Sequence, residues 1–133
     1  MSVVGSFPPS GKPSWTCFLD GKPLISDEND DGRGQNNVVL CLSNNTLPSA
    51  PSATPSNLTV VASGTPDTPF LFDHIQYTPD ASVILDNATV VVNATDPQIF
   101  ENSGWKAFSL DLGLKTSVPG SSLVFDFIGA FRL

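Results

Sequence analysis

The chain has 133 residues, enough for one domain or two incomplete ones, and its 40% hydrophobic content excludes a chain disordered throughout. Only 14% of residues are charged, and the formal net charge is −7, with the six basic residues (Lys12, Lys22, Arg33, Lys106, Lys115, Arg132) scattered singly. That distribution provides no cationic stripe for nucleic-acid phosphates, so nucleic acid is excluded as a partner, and it disfavours anionic membrane surfaces for the same reason. With 12 Pro and 10 Gly, long helices have little room, because proline lacks the N–H and clashes inside a helix.

In chain order, Ser2–Phe7 is a short apolar strand halted by Pro8-Pro9 and Ser10-Gly11. Trp15–Leu19 alternates, with Trp15, Cys17 and Leu19 on one face and Thr16 and Phe18 on the other. Asp20-Gly21 then forms a tight turn. Residues 27–37 form a polar loop, and Val38–Leu42 is a compact apolar strand. The Ser-, Pro- and Asn-rich segment 43–56 reads as a surface loop. Asn57–Ala62 follows as a strand, and then Phe70–Tyr77, apolar on both faces as a central strand should be. The later candidates are Ala88–Asn93, Gln98–Phe100, Trp105–Leu110 and Leu123–Ile128. In the last of these, Leu123, Phe125 and Phe127 share one side and Asp126 takes the other. Short strands between Gly/Pro/Asn/Asp clusters predict an all-β fold, an antiparallel sandwich or jelly roll.

Two cysteines, Cys17 and Cys41, fall in runs read as neighbouring strands, and a disulfide between them would contribute on the order of 3 kcal/mol. Two buried free thiols are the alternative. Four glycosylation sequons begin at Asn44, Asn57, Asn87 and Asn93, and together with a disulfide they favour the secretory route. Asn93, inside a strand-like run, is the weakest acceptor of the four. The N-terminal MSVVGSFPPSGK has neither a basic start nor an apolar run, so it is no signal peptide, and no stretch approaches the length of a membrane span. Two expectations follow, a cytosolic chain with idle sequons or a fragment of a longer extracellular or cell-surface protein without membrane insertion of its own, and the second is favoured.

Chemistry-bearing constellations are sparse. Glycoside hydrolysis needs two carboxylates across the bond, and nothing marks Asp73 and Asp126 as a facing pair. The single histidine, His74, follows Asp73, but no nucleophile elbow accompanies it, and a hydrogen-bonded strand residue is expected. Asp27, Asn29 and Asp31 before Gly32 match the first half of a calcium loop, yet Val38 occupies the position of the closing glutamate, so a solvated acidic loop is expected and no metal is assigned. Zinc lacks ligands. No phosphate-cradling glycine motif occurs, no cofactor is implied, and the chain is read as no enzyme. Sugar recognition by sandwiches stacks an aromatic ring on a sugar face, which makes Tyr77, Trp105 and Trp15 the candidates. Packing of the two tryptophans in the core is the competing expectation.

Several segments together resemble the tandem jelly-roll, galactose-binding-like ectodomains of fungal cell-surface proteins. Thr95-Asp96-Pro97, Ser103-Gly104-Trp105, Pro119-Gly120-Ser121-Ser122 and Phe127-Ile128-Gly129 are similar to the opening of such a domain. Val4-Gly5, Pro8-Pro9, Phe18-Leu19-Asp20-Gly21, Leu58-Thr59-Val60 and Phe72-Asp73-His74-Ile75 are similar to its continuation and close. The order is rotated. The resemblance thus implies that residues 1–79 are the C-terminal part of one repeat and 80–133 the N-terminal part of the next, two halves able to close as one permuted sandwich. It also leaves three functions open: a non-catalytic module with affinity for glycans or cell-wall polysaccharide, a structural spacer without ligand, or an accessory domain of a glycoside-active enzyme.

Overall fold

A computed structural model of the chain describes residues 1–7, 11, 13–26, 35–42, 55–77, 89–108 and 113–127. The loop holding Asp27, Asn29 and Asp31, the sequons at Asn44 and Asn87, and the seam between residues 79 and 80 lie outside the described residues. The described residues form twelve strands and no helix: β1 (Ser2–Phe7), β2 (Ser14–Leu19), β3 (Lys22–Pro23), β4 (Ile25–Ser26), β5 (Gln35–Leu42), β6 (Ser56–Ser63), β7 (Phe70–Tyr77), β8 (Val90–Asn93), β9 (Ile99–Glu101), β10 (Trp105–Phe108), β11 (Gly113–Thr116) and β12 (Ser121–Phe127).

These strands make two antiparallel sheets packed face to face, a β-sandwich. The larger sheet runs β10-β11-β7-β1-β5-β4, with β8 also paired to β7, and the smaller runs β3-β2-β6-β12-β9. Strands from before and after the seam are hydrogen-bonded to one another in both layers: β7 pairs with β8 and β11, and β12 pairs with β6 along seven residues. One interior results. Val3, Leu40, Phe70, Phe72 and Ile75 of the larger sheet and Leu19, Leu58, Val60, Leu123 and Phe125 of the smaller all lie in the same buried cluster.

Alternation explains which side chains meet there, since residues two apart on a strand share a face. On β6 and β12 the pattern is regular, with Leu58, Val60, Leu123, Phe125 and Phe127 inward and Asn57, Thr59, Val124 and Asp126 outward. On β7 it breaks after Phe72. The pairing with β1 shifts between Val4 and Gly5, so that Asp73 is the extra residue of a bulge, and Ile75 points inward again.

Cys17 and Cys41 are joined by a disulfide with Cα atoms 6.3 Å apart. The two strands are not neighbours as the sequence suggests: β2 belongs to the smaller sheet and β5 to the larger, and the bond crosses the sandwich interior. The expected Asp20-Gly21 turn is present. Both residues have positive φ (49° and 77°), the type I′ geometry that a two-residue hairpin between β2 and β3 requires.

Candidate functional site

The three aromatic residues singled out for sugar stacking all lie on the inward side of their strands. Trp15 on β2 packs 5.9 Å from Phe70, and its Nε1 donates to the Leu40 carbonyl at 3.0 Å, across to the other sheet. Trp105 on β10 is only 8% exposed, stands edge-on to Phe70 at 6.0 Å, and donates from Nε1 to the Ser122 carbonyl at 3.0 Å. Both indoles thus engage their polar atom in tying one sheet to the other. Tyr77 is half-buried at the far end, 5.0 Å from Phe127 and 6.0 Å from Phe125, which stack on each other. Burial and the charge of Asp96 push its phenol above the ordinary value of 10.0.

Around the only histidine the described side chains pair locally. Ser6 Oγ donates directly to Asp73 Oδ2 at 2.8 Å, and Gln76 Nε2 donates to His74 Nε2 at 3.1 Å. The Ser6 hydroxyl is thus bonded to the carboxylate, and the imidazole to Gln76. No group of three or more His, Cys, Asp or Glu able to hold a metal occurs among the described residues.

A different surface brings chemistry together: the outer face of the smaller sheet. Register places Pro23 beside Phe18, Phe18 beside Thr59, Thr59 beside Val124, and Val124 beside Phe100, one residue from each of the five strands. Neighbouring strands lie about 4.8 Å apart, so Phe18 and Phe100 are separated by roughly 14 Å across the strands. Phe100 is 65% exposed, the most open large apolar side chain described. Beside this apolar row runs a polar one. Asn57 Nδ2 donates to Asp126 Oδ1 at 2.7 Å, the Asn57 backbone N–H donates to Asp20 Oδ1 at 2.8 Å, and Thr59 Oγ1 donates to Asn57 Oδ1 at 3.0 Å. These bonds hold Asn57 between the Asp20 and Asp126 carboxylates, two residues along the chain from the Phe18–Thr59–Val124 row.

Neither Phe18 nor Phe100 was among the sequence candidates, although a signal for their orientation exists. The alternation that turns Cys17 inward turns Phe18 outward, and Ile99 turned inward does the same for Phe100. The row itself was not legible, because it depends on the β9–β12–β6–β2 order, which pairs residues as distant in the chain as Thr59 and Val124.

Compared with known proteins, the chain matches no family model, no curated protein and no solved structure.

Proposed function

We propose that this sandwich is a non-catalytic, extracellular carbohydrate-binding module, part of a surface protein of the fungal kind it resembles, and that it takes neutral glycan on the outer face of the smaller sheet. The observation that carries the reading is the pairing of the Phe18–Phe100 row with the Asp20–Asn57–Asp126 row on one five-stranded surface. An aromatic ring covers the C–H face of a pyranose, while fixed carboxylate and amide oxygens accept from its hydroxyls, so the two rows suit a polyol. Two carboxylates on the face and an overall charge of −7 disfavour acidic polysaccharides. The interior disulfide supports an oxidising compartment.

The test is binding to a panel of neutral and acidic polysaccharides, with Phe100→Ala as the informative variant. Because Phe100 is exposed, its truncation leaves the core intact and is expected to weaken binding about tenfold or more, or about 1.4 kcal/mol. Unchanged binding by this variant, or saturable binding to no glycan, sinks the proposal.

A second reading has its own observation. Asn57 heads a sequon and lies on β6, a strand inside the same sheet, two residues from Thr59 of the apolar row. A glycan attached there would cover both rows, and the domain would then be a spacer. Glycopeptide mass spectrometry of Asn57 in exported material separates the two: a bare Asn57 fits the binding module, and a fully occupied one fits the spacer.

A further inference from the structure

We infer that Asn93 is an N-glycan acceptor and that its glycan guards the open edge of β8. The inference rests on the exported-module reading above for its compartment, but on a different part of the molecule for its geometry. Among the described residues β8 is paired on one side only, to β7, so no described strand covers its other row of backbone donors and acceptors. Its Val91 is 51% exposed and lies on the same face as Asn93, two residues on. An unguarded apolar edge of this kind is a template for pairing with another chain.

Asn93 is the last residue of β8, and its carbonyl accepts from the Asp96 N–H at 2.9 Å, closing a turn. Within that turn Ala94 is buried and its N–H donates to the Asp73 carbonyl at 3.0 Å, while Asn93 and Thr95 on either side of it are both exposed. The sequon's two functional side chains are therefore presented outward from an anchored backbone. Asn57 differs: its strand is paired on both sides, and its Nδ2 is held by Asp126. The acceptor that looks weakest by sequence is thus the better presented of the two described.

In the transfer, Asn93 Nδ2 bonds to the anomeric carbon of a polyprenyl-pyrophosphate-linked oligosaccharide supplied by the exporting cell. The anomeric C–O bond to pyrophosphate breaks, the lipid pyrophosphate leaves with that electron pair, and the amide proton passes to a base of the host transferase. A bulky, hydrated chain at this point covers Val91 and blocks approach along β8.

The test is expression of the full 133-residue chain behind an export leader in a eukaryotic host, with glycopeptide mapping and light scattering of the purified protein. Occupancy at Asn93 is expected. Asn93→Gln and Thr95→Ala, which remove the acceptor through different residues, should each lose one glycan and self-associate several-fold more than the parent. Exported protein with Cys17–Cys41 closed but Asn93 bare overturns the inference and leaves the exported-module reading standing. A glycan at Asn93 whose removal leaves association unchanged overturns the guarding role. A chain retained in the cell, reduced and bare, overturns both readings. Glycan binding at the Phe100 face is read separately and bears on neither result.

Discussion

Tyr77 shows how a single side chain can be aromatic, near the surface and still a part of the core. Its ring lies against Phe125 and Phe127 and its phenol is raised above 10.0, first by burial and then by Asp96. A raised pKa means that the folded state holds this proton more tightly than the unfolded chain does. The associated stability is complete below pH 10 and is lost as the pH rises through the folded value. Tyr77 is the only tyrosine, so the phenolate absorbance reports it without ambiguity. The titration midpoint should lie above 10.0 and fall in Asp96→Asn, and Tyr77→Phe should flatten the alkaline limb of stability. A midpoint at or below 10.0 contradicts this account. Sequence alone could identify Tyr77, Trp15 and Trp105 as large aromatics on strands, but their orientation depends on the opposite sheet, and alternation cannot tell a core ring from a stacking platform when both faces of a strand carry apolar groups.

At the level of the element, the long strands were legible, and so were the short β8, β9 and β10, while β3, β4 and β11 were not. β1, β2, β6, β7 and β12 carry enough alternation, bounded by turn residues, to be found with little more than their ends shifted. β3, β4 and β11 are two, two and four residues long, too short to show an alternation of their own: β3 is the return arm of the β2 hairpin, and β4 and β11 are held as strands by pairing with β5 and β7. The motifs behind the family resemblance turn out to have structural duties. Gly104 has φ 114° and packs beside Val118 and Ser121, and the Asp96 carboxylate accepts from the Gln98 N–H at 2.9 Å. Thr116 and Ser121 share a buried hydrogen bond of 2.7 Å behind the Pro119-Gly120 turn. Such residues specify a fold and say little about a ligand. Gly5 offers the sharpest test at this scale. It sits at the register shift of β1, and a Cβ there would meet the Leu71 carbonyl oxygen and the Leu40 side chain 2.6 Å away. Gly5→Ala should therefore destabilise by about 1–3 kcal/mol, seen as a lower urea midpoint with an unchanged slope. A neutral result would mean that β1 and β7 can separate locally at no cost.

Over the whole molecule, the two sheets are held together by apolar burial and by cross-layer ties, two of which join the same pair of strands. Cys17 and Trp15 lie two apart on the inward side of β2, and their partners, Cys41 and the Leu40 carbonyl, are adjacent on β5. The sequence made the pair of cysteines legible but placed them on neighbouring strands, because it carries no direct signal for which layer a strand joins. Crossing the interior, the disulfide does two jobs. It restricts the unfolded chain, a contribution on the order of 3 kcal/mol for a separation of 24 residues, and it fixes the distance between β2 and β5. Only the second job is shared with the Trp15 hydrogen bond, which needs Leu40 held within reach. Replacing both cysteines by Ala should lower stability by roughly 3 kcal/mol, and Trp15→Phe, which keeps most of the ring but deletes the donor, by about 1 kcal/mol. If the two ties act as one clamp, the triple variant should lose less than the sum, by about 0.5 kcal/mol or more, because the hydrogen bond is already weakened once the layers can drift. Strict additivity in denaturant unfolding would mean that burial alone sets the spacing of the sheets, leaving the disulfide to act only through the unfolded chain.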